Sequence, residues 1–326
     1  MRLSADELGR RAERLALRLA ACDLCPRRCR VDRRAGERGF CGVGSAALLA
    51  AAVPHAGEEP PISGTRGAGT IFLGGCNLGC VFCQNRQISR RSVELREVND
   101  AELAEAILGL ARAGCHNIEF VTPSHVVPQI LAALARARPA GLDLPIVWNT
   151  GGYDALDVLR ELEGVVDVYL PDLKYADTRD AQDLCGAPDY WDVARAAVRE
   201  MVRQCGALER DDAGIARRGV IVRHLVLPNN LGGSEAVLSF VAGLAPRPPL
   251  ALMAQFYPIP ECDHPLLQRP VFRAEYERVL HHLMQLGLED GWVQDPAAES
   301  RYRPDFARSD PFAPDAPGGS ATDRAT

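Results

Sequence analysis

From about residue 69 onward the chain alternates short apolar runs, bounded by Gly, Pro and Asn, with longer stretches where Leu, Val and Ala recur every three or four positions. The first pattern reads as buried strands and the second as amphipathic helices. Strands are predicted near 69–75, 117–121, 145–149, 165–170, 220–227 and 250–257. Helices are predicted near 100–113, 126–137, 154–162, 190–205, 234–244 and 272–286. Six strand–helix units of this size call for right-handed crossovers and a parallel sheet, so an α/β fold with a partial (β/α)6 barrel is expected. Ahead of it, residues 3–21 alternate charged residues with Leu and Ala at helical spacing, and a Pro/Gly-rich stretch over 54–69 marks a boundary loop. After it, 295–326 is rich in Pro, Asp, Ser, Ala and Arg and is expected to be disordered. The chain divides on this reading into 1–56, 57–294 and 295–326.

A hydrophobic content of 47% supplies a core for a large domain. No apolar run of membrane-spanning length and no secretory apolar region is present, so a cytoplasmic protein with no membrane partner is expected. The net charge is −6, yet residues 1–45 carry 11 Arg against 6 Asp and Glu. A solvated basic face accounts for that, and no nucleic-acid partner is expected. Of 37 cationic residues, only Lys174 is Lys. In a chain where arginine serves every other cationic position, the survivor points to a place that needs a compact ammonium.

Seven of the 11 cysteines fall into two clusters with the spacing of metal ligands. Cys76, Cys80 and Cys83 directly follow the first predicted strand. Three thiolates on a four-iron cubane leave one iron open to a small molecule, and Phe82 beside the last cysteine offers a flat face to an adenine; the alternative is a three-cysteine zinc or loop cluster. Cys22, Cys25, Cys29 and Cys41 lie among Arg, Gly and Pro in a segment too polar to fold alone. Structural zinc, an auxiliary iron–sulfur cluster and a redox-active thiol group all suit that set. Cys115, Cys185, Cys205 and Cys262 stand alone and read as packing residues. In a barrel, strand C-termini carry the chemistry. The polar residues there are Thr122, Ser124 and His125 after strand two, Asn149 and Thr150 after strand three, and Asp172 and Lys174 after strand four. Arg223, His224, Gln255 and Tyr257 belong to strands five and six. No Ser/His/Asp triad, Walker loop or dinucleotide fingerprint competes with them.

These residues carry a family resemblance. Together with Gly57-Glu58-Glu59-Pro60-Pro61, Cys83-Gln84-Asn85, His116-Asn117-Ile118, Val121 to His125, Leu170 to Tyr175 and Val222 to Pro228, the cysteine loop resembles radical S-adenosylmethionine (SAM) enzymes. The similar branch is that of pyruvate formate-lyase-activating enzyme with an N-terminal four-cysteine segment, and the likeness runs from about residue 22 to 288. It implies the partial barrel of the radical SAM type, a [4Fe–4S] cluster on Cys76, Cys80 and Cys83, and SAM on the open iron. It also implies reductive cleavage of SAM to a 5′-deoxyadenosyl radical, an external reductant such as flavodoxin or ferredoxin, and a glycyl radical enzyme as the protein activated. Alternatives are a small-molecule or peptide substrate, or a non-catalytic iron–sulfur protein. Residue by residue, Asp172 and Lys174 match the Asp-Leu-Lys motif and are the candidate catalytic pair. Phe82, Asn85, Thr122, Asn149, Thr150, Arg223 and Tyr257 are, with them, the candidate SAM contacts. Asn149 replaces the acid of a cation-binding turn, Tyr257 replaces a histidine, and Val121-Thr122-Pro123 replaces Gly-Gly-Glu, so Thr122 and nearby carbonyls are assigned to the SAM amine.

Overall fold

A computed structural model describes residues 3–295, 304–308 and 310–312. Its first elements are α1 (Ala5–Leu17), β1 (Ala47–His55), α2 (Pro60–Ser63), β2 (Ala68–Leu73), α3 (Arg86–Ser89), β3 (Arg96–Val98), α4 (Asp100–Arg112) and β4 (Ile118–Val121). Then come α5 (Val127–Ala137), β5 (Ile146–Thr150), α6 (Leu156–Glu161), β6 (Val168–Pro171), α7 (Thr178–Cys185), α8 (Tyr190–Cys205) and β7 (Glu209–Arg210). The last are β8 (Ala216–Val220), β9 (Val222–Leu225), α9 (Ser234–Ala242), β10 (Leu250–Met253), α10 (Arg273–Gln285) and β11 (Gly291–Val293).

All six predicted strands are present and parallel. β2, β4, β5, β6 and β8 pair in that order, and β9, β10 and β11 continue the series in a second sheet. The fifth predicted strand is split at Ile221: β8 pairs with β6 and β9 with β10. A single parallel bridge from Asp172 to Arg223 joins the two sheets. This break turns the sheet toward barrel closure and brings Arg223 against the end of β6. Strand residues in β2, β4, β5, β6 and β10 are buried throughout, as strands covered on both faces must be.

Three elements depart from the sequence-based expectation. β1 pairs antiparallel with β2 and extends the barrel wall inside the segment read as a cysteine module. Its sequence, ALLAAAVPH, is alanine-rich and lacks strand character. α7 is short and polar, and the extended strand predicted to 257 ends at Met253. α1 is capped by the Ser4 side chain, which accepts from the N–H of Glu7 at 3.2 Å, and buries Leu8, Ala12 and Leu15. It lies against α5, and one apolar core runs from Leu8 to Leu288. The expected disorder of 295–326 falls mostly outside the described residues. The two described stretches are an exception: Phe306 is buried on Phe72, and the Phe312 ring lies 4.0 Å from that of His55. Among the described residues no helix is long and apolar enough to cross a membrane.

Candidate active site

β2 ends at Leu73, and the loop beyond it sets Cys76, Cys80 and Cys83 around one cavity. Each sulfur already receives a hydrogen bond. The N–H groups of Leu78 and Gly79 donate to Cys76 Sγ at 3.3 and 3.5 Å, the Ser89 hydroxyl to Cys83 Sγ at 3.4 Å, and the Tyr175 hydroxyl to Cys80 Sγ at 3.0 Å. Donors aimed at all three sulfurs suit thiolates. Burial opposes bare thiolates: it pushes the Cys76 thiol up to about 12 and raises Cys83, while the neighbouring Cys185 thiol and burial raise Cys80. Bound cationic iron resolves that conflict by replacing the protons. Among the described residues no three His, Cys, Asp or Glu side chains close on a point as ligands of one ion would. A cubane makes no such demand, since each thiolate binds its own iron. The donor set therefore fits a [4Fe–4S] cluster.

Below the loop, one ionic network crosses the barrel. Arg223 reaches Asp172 Oδ1 through Nε at 2.7 Å, Glu58 Oε2 through one terminal nitrogen at 2.8 Å and Asn149 Oδ1 through the other at 2.6 Å. Lys174 Nζ lies 2.6 Å from Asp172 Oδ2. Burial alone would raise the pKa of Asp172, but the charges of Arg223 and Lys174 outweigh it and hold that pKa below the usual carboxylate value. The same attraction, led by Asp172, raises Lys174 and Arg223 against their own desolvation. Asn149 turns its amide nitrogen to Glu119 Oε1 at 2.8 Å, and Thr70 donates to Glu119 Oε2 at 2.8 Å. Burial, reinforced by repulsion from Glu58, pushes Glu119 far up. The acid absent from position 149 has thus a buried counterpart one strand over, at 119. A lone Glu inside the apolar run of β4 was the signal for it.

The remaining candidates divide. Phe82, Asn85, Thr122, Asn149, Thr150, Asp172, Lys174 and Arg223 all line the cavity. Phe82 is held edge-on by Tyr175 and Phe256, which fixes its ring. Thr122 adopts φ 59°, a left-handed conformation costly for a β-branched residue, while its N–H bonds Asn149 O at 2.9 Å. The Thr150 hydroxyl is committed to Asp154 at 2.6 Å, and Ser124 donates to the same carboxylate at 2.6 Å. Tyr257 is a correction: it does not line the cavity, whereas Met253 and Gln255 do. The chain leaves the strand at Met253, so strand alternation no longer governs where residue 257 faces. Sequence reasoning missed Glu58 and Glu59, which line the cavity, and Glu119, which holds the Asn149 amide from behind it. It also read Cys185 as packing alone, although that thiol lies beside Cys80.

Cys22, Cys25, Cys29 and Cys41 line a second, smaller pocket together with Arg33 and His125. Arg33 is 1% exposed. Its guanidinium donates to the carbonyls of Gly44 and His125 and approaches Cys22 Sγ at 3.7 Å. The module abuts the cluster loop. Gly75 has φ 79°, and a Cβ there would sit 2.5 Å from the Cys41 carbonyl, so only glycine permits this contact. His125 Nε2 meets the Gly74 carbonyl at 2.9 Å from the other side.

The chain is similar to known proteins in sequence and in structure. An uncharacterised protein of Methanocaldococcus jannaschii is 30% identical over 267 residues, covering 79% of this chain and 73% of its own. A second from the same organism is 25% identical over 292 residues, covering 83% and 78%. A radical SAM methyltransferase from Sphaerobacter thermophilus superposes with a TM-score of 0.49 at 15% identity, covering 69% of this chain and 66% of that one. The profile of the radical SAM superfamily matches residues 70–204, which run from the cluster strand β2 into α8. On its sequence and on the cysteine loop at the end of β2, the chain belongs to the radical SAM superfamily.

Proposed function

We propose that this protein is a radical SAM enzyme of the type that activates a glycyl radical partner, with the cluster held by Cys76, Cys80 and Cys83. When bound, the [4Fe–4S] cluster and SAM supply reductive cleavage of the sulfonium to methionine and a 5′-deoxyadenosyl radical. The chain's own residues orient and shield that chemistry. Phe82 lines the cavity beside the third cysteine, Asn85 and Thr122 bring polar groups to it, and the Asp172–Lys174 pair keeps a fixed ammonium within it. The electron comes from an external carrier of the flavodoxin or ferredoxin kind, which fits a cytoplasmic setting. The observation that carries this reading is the convergence of the three sulfurs, Asp172, Lys174 and Arg223 on one cavity. Anaerobic reconstitution followed by reduction tests it: the wild type is expected to release 5′-deoxyadenosine and Cys80→Ala none. Equal release from both would defeat the assignment.

Cys22, Cys25, Cys29 and Cys41 are proposed to hold a second, thiolate-bound metal centre. Buried Arg33 supports this, since its positive charge faces four cysteines and, among the described residues, forms no carboxylate ion pair. Metal analysis of a variant lacking Cys76, Cys80 and Cys83 separates the forms of the centre. Iron with sulfide marks an auxiliary cluster, the form that the unconverged sulfurs favour, zinc alone marks a structural site whose ligands close on the ion as it binds, and no bound metal overturns the proposal.

A further inference from the structure

We infer that Glu59 is the docking point for a cationic group, an ammonium or guanidinium, on the substrate; this rests on the radical SAM reading of the cavity above. Its placement comes first. β1 runs antiparallel to β2, so His55 pairs with Ala68 and the chain leaves β1 at the N-terminal end of the barrel. The next residues turn inward: α2 plugs that end, with Ile62 fully buried among Val147, Val168, Leu170 and Ile221. The Asn117 amide donates to the Ile62 carbonyl at 2.8 Å and fastens the plug. Glu58 and Glu59, immediately before α2, therefore line the cavity from the side opposite the cysteine loop.

The charges there do not balance. The Asp, Glu, Lys and Arg residues lining the cavity are Glu58, Glu59 and Asp172 against Lys174 and Arg223. Both cations are engaged, Lys174 by Asp172 and Arg223 by Asp172 and Glu58. Glu59 is the surplus acid. It occupies the position before α2 but does not cap that helix with its side chain; its carbonyl accepts from Ile62 and Ser63 at 2.8 and 3.0 Å, and its carboxylate meets its own backbone N–H. Its Oε2 is buried and has no hydrogen-bond partner. A buried acceptor left unsatisfied is costly, and its natural complement is a donor that arrives with the ligand. Burial and repulsion from Glu58 and Asp172 outweigh the pull of Arg223 and push Glu59 up to about 7. Near neutral pH the empty cavity can cancel its surplus by taking up a proton on Glu59, and a neutral hydroxyl would satisfy the acceptor without replacing that proton's charge. A cation answers both, and the fully engaged Arg223 leaves little for an anionic substrate to bind. On the radical SAM reading the ammonium of SAM would be met by Thr122 and nearby carbonyls beside the cysteine loop, which leaves the unpaired acceptor of Glu59 to the second ligand.

Calorimetry on the reconstituted, SAM-loaded protein tests this with probes that share one carbon chain: butylammonium, butanol and butyrate. Butylammonium is expected to bind saturably in the millimolar range and the other two not at all. Glu59→Gln should weaken the ammonium by about ten- to a hundredfold, the loss of one charged hydrogen bond. A Gly-Lys-Gly peptide beside free butylammonium tells a protein side chain from a small molecule as the source, and binding of either supports the inference. Butanol or butyrate binding as well as butylammonium overturns it, as does equal ammonium affinity in Glu59→Gln or no ammonium binding by the wild type. The preference of the wild type for the cation needs no variant, so a misfolded Glu59→Gln cannot mask the result. Deoxyadenosine release by the same wild-type samples stands apart: its absence defeats the radical SAM reading, and its presence with indifference to charge defeats the Glu59 assignment alone.

Discussion

At the scale of single residues, the groups around the cysteines act by aiming dipoles and excluding water. Tyr175 is fully buried, wedged between Phe82 and Tyr190, and Cys80 Sγ is its hydroxyl's partner at 3.0 Å. A hydrogen bond to a ligating sulfur stabilises the more negative, reduced cluster and raises its potential. Tyr175→Phe keeps the ring and removes the donor, so the midpoint potential is expected to fall by tens of millivolts, read by redox titration of the cluster's EPR signal; an unchanged midpoint would refute the role. His224 shows a stability effect instead. It is wholly buried, with Nδ1 at 2.6 Å from the Leu173 carbonyl and Nε2 at 2.8 Å from the Ser234 hydroxyl. Burial drives its pKa down to about 4 from an ordinary 6.5. The unfolded chain therefore takes up this proton first. Stability from this group is complete above about pH 6.5, declines as the pH falls toward 4 and loses no more below that. The span corresponds to about 3 kcal/mol. Urea unfolding of wild type and His224→Gln at both ends of that window checks it, and equal pH dependence of the two proteins counts against it. Most of the site was legible, because Cys76, Asp172, Lys174 and Arg223 stand at strand ends where polar side chains are conspicuous. Glu59 was not, because its place in the cavity comes from a chain reversal at His55 that no local pattern announces.

At the scale of elements, strand position was readable wherever Val, Ile, Phe and Leu concentrate between turn residues, as in β2, β4, β5 and β10. Propensity failed at β1. Its run of alanines favours a helix, and pairing with β2 on one side and β3 on the other overrides that preference. α1 is the opposite case, since the helical spacing of Leu and Ala predicted a helix correctly but not its neighbour. Leu8, Ala12 and Leu15 form one stripe, and that stripe lies on α5, so the N-terminal helix belongs to the barrel's outer layer. Leu15 is 1% exposed. Leu15→Ala is expected to cost about 2–5 kcal/mol, the usual range for a buried leucine whose cavity does not collapse. Chemical denaturation checks this; a loss under about 1 kcal/mol would mean that α1 is only loosely attached.

For the molecule as a whole, the seam between the four-cysteine module and the barrel decides how the two are coupled. The seam is built from backbone carbonyls and arginines. The Cys41 carbonyl abuts Gly75, Arg27 donates to the carbonyls of Asn77, Leu78 and Cys185, and Arg33 reaches across to the carbonyl of His125. Arg33 is the informative member, because a buried guanidinium bonded to carbonyls and a sulfur is tolerable only if negative charge lies near it. Four thiolates on one zinc, or on a cubane in its oxidised resting state, leave a net charge of about −2, which supplies it. Four protonated thiols supply none. The two cases give opposite signs for one substitution. With the metal bound, Arg33→Met removes the counter-charge of the centre, so metal loss to a chelator should accelerate and stability should fall by a few kcal/mol. With the metal stripped, the same change removes an uncompensated buried cation and replaces it with an apolar chain of similar reach, so stability should hold or rise. Melting curves of both proteins, each with and without the N-terminal metal, form a closed cycle whose coupling term reads the interaction directly. A reversal of sign on metal removal establishes Arg33 as the counter-ion of the second centre. The same destabilisation in both states would make it a packing and hydrogen-bonding residue only, and the charge argument for metal at Cys22, Cys25, Cys29 and Cys41 would fall with it.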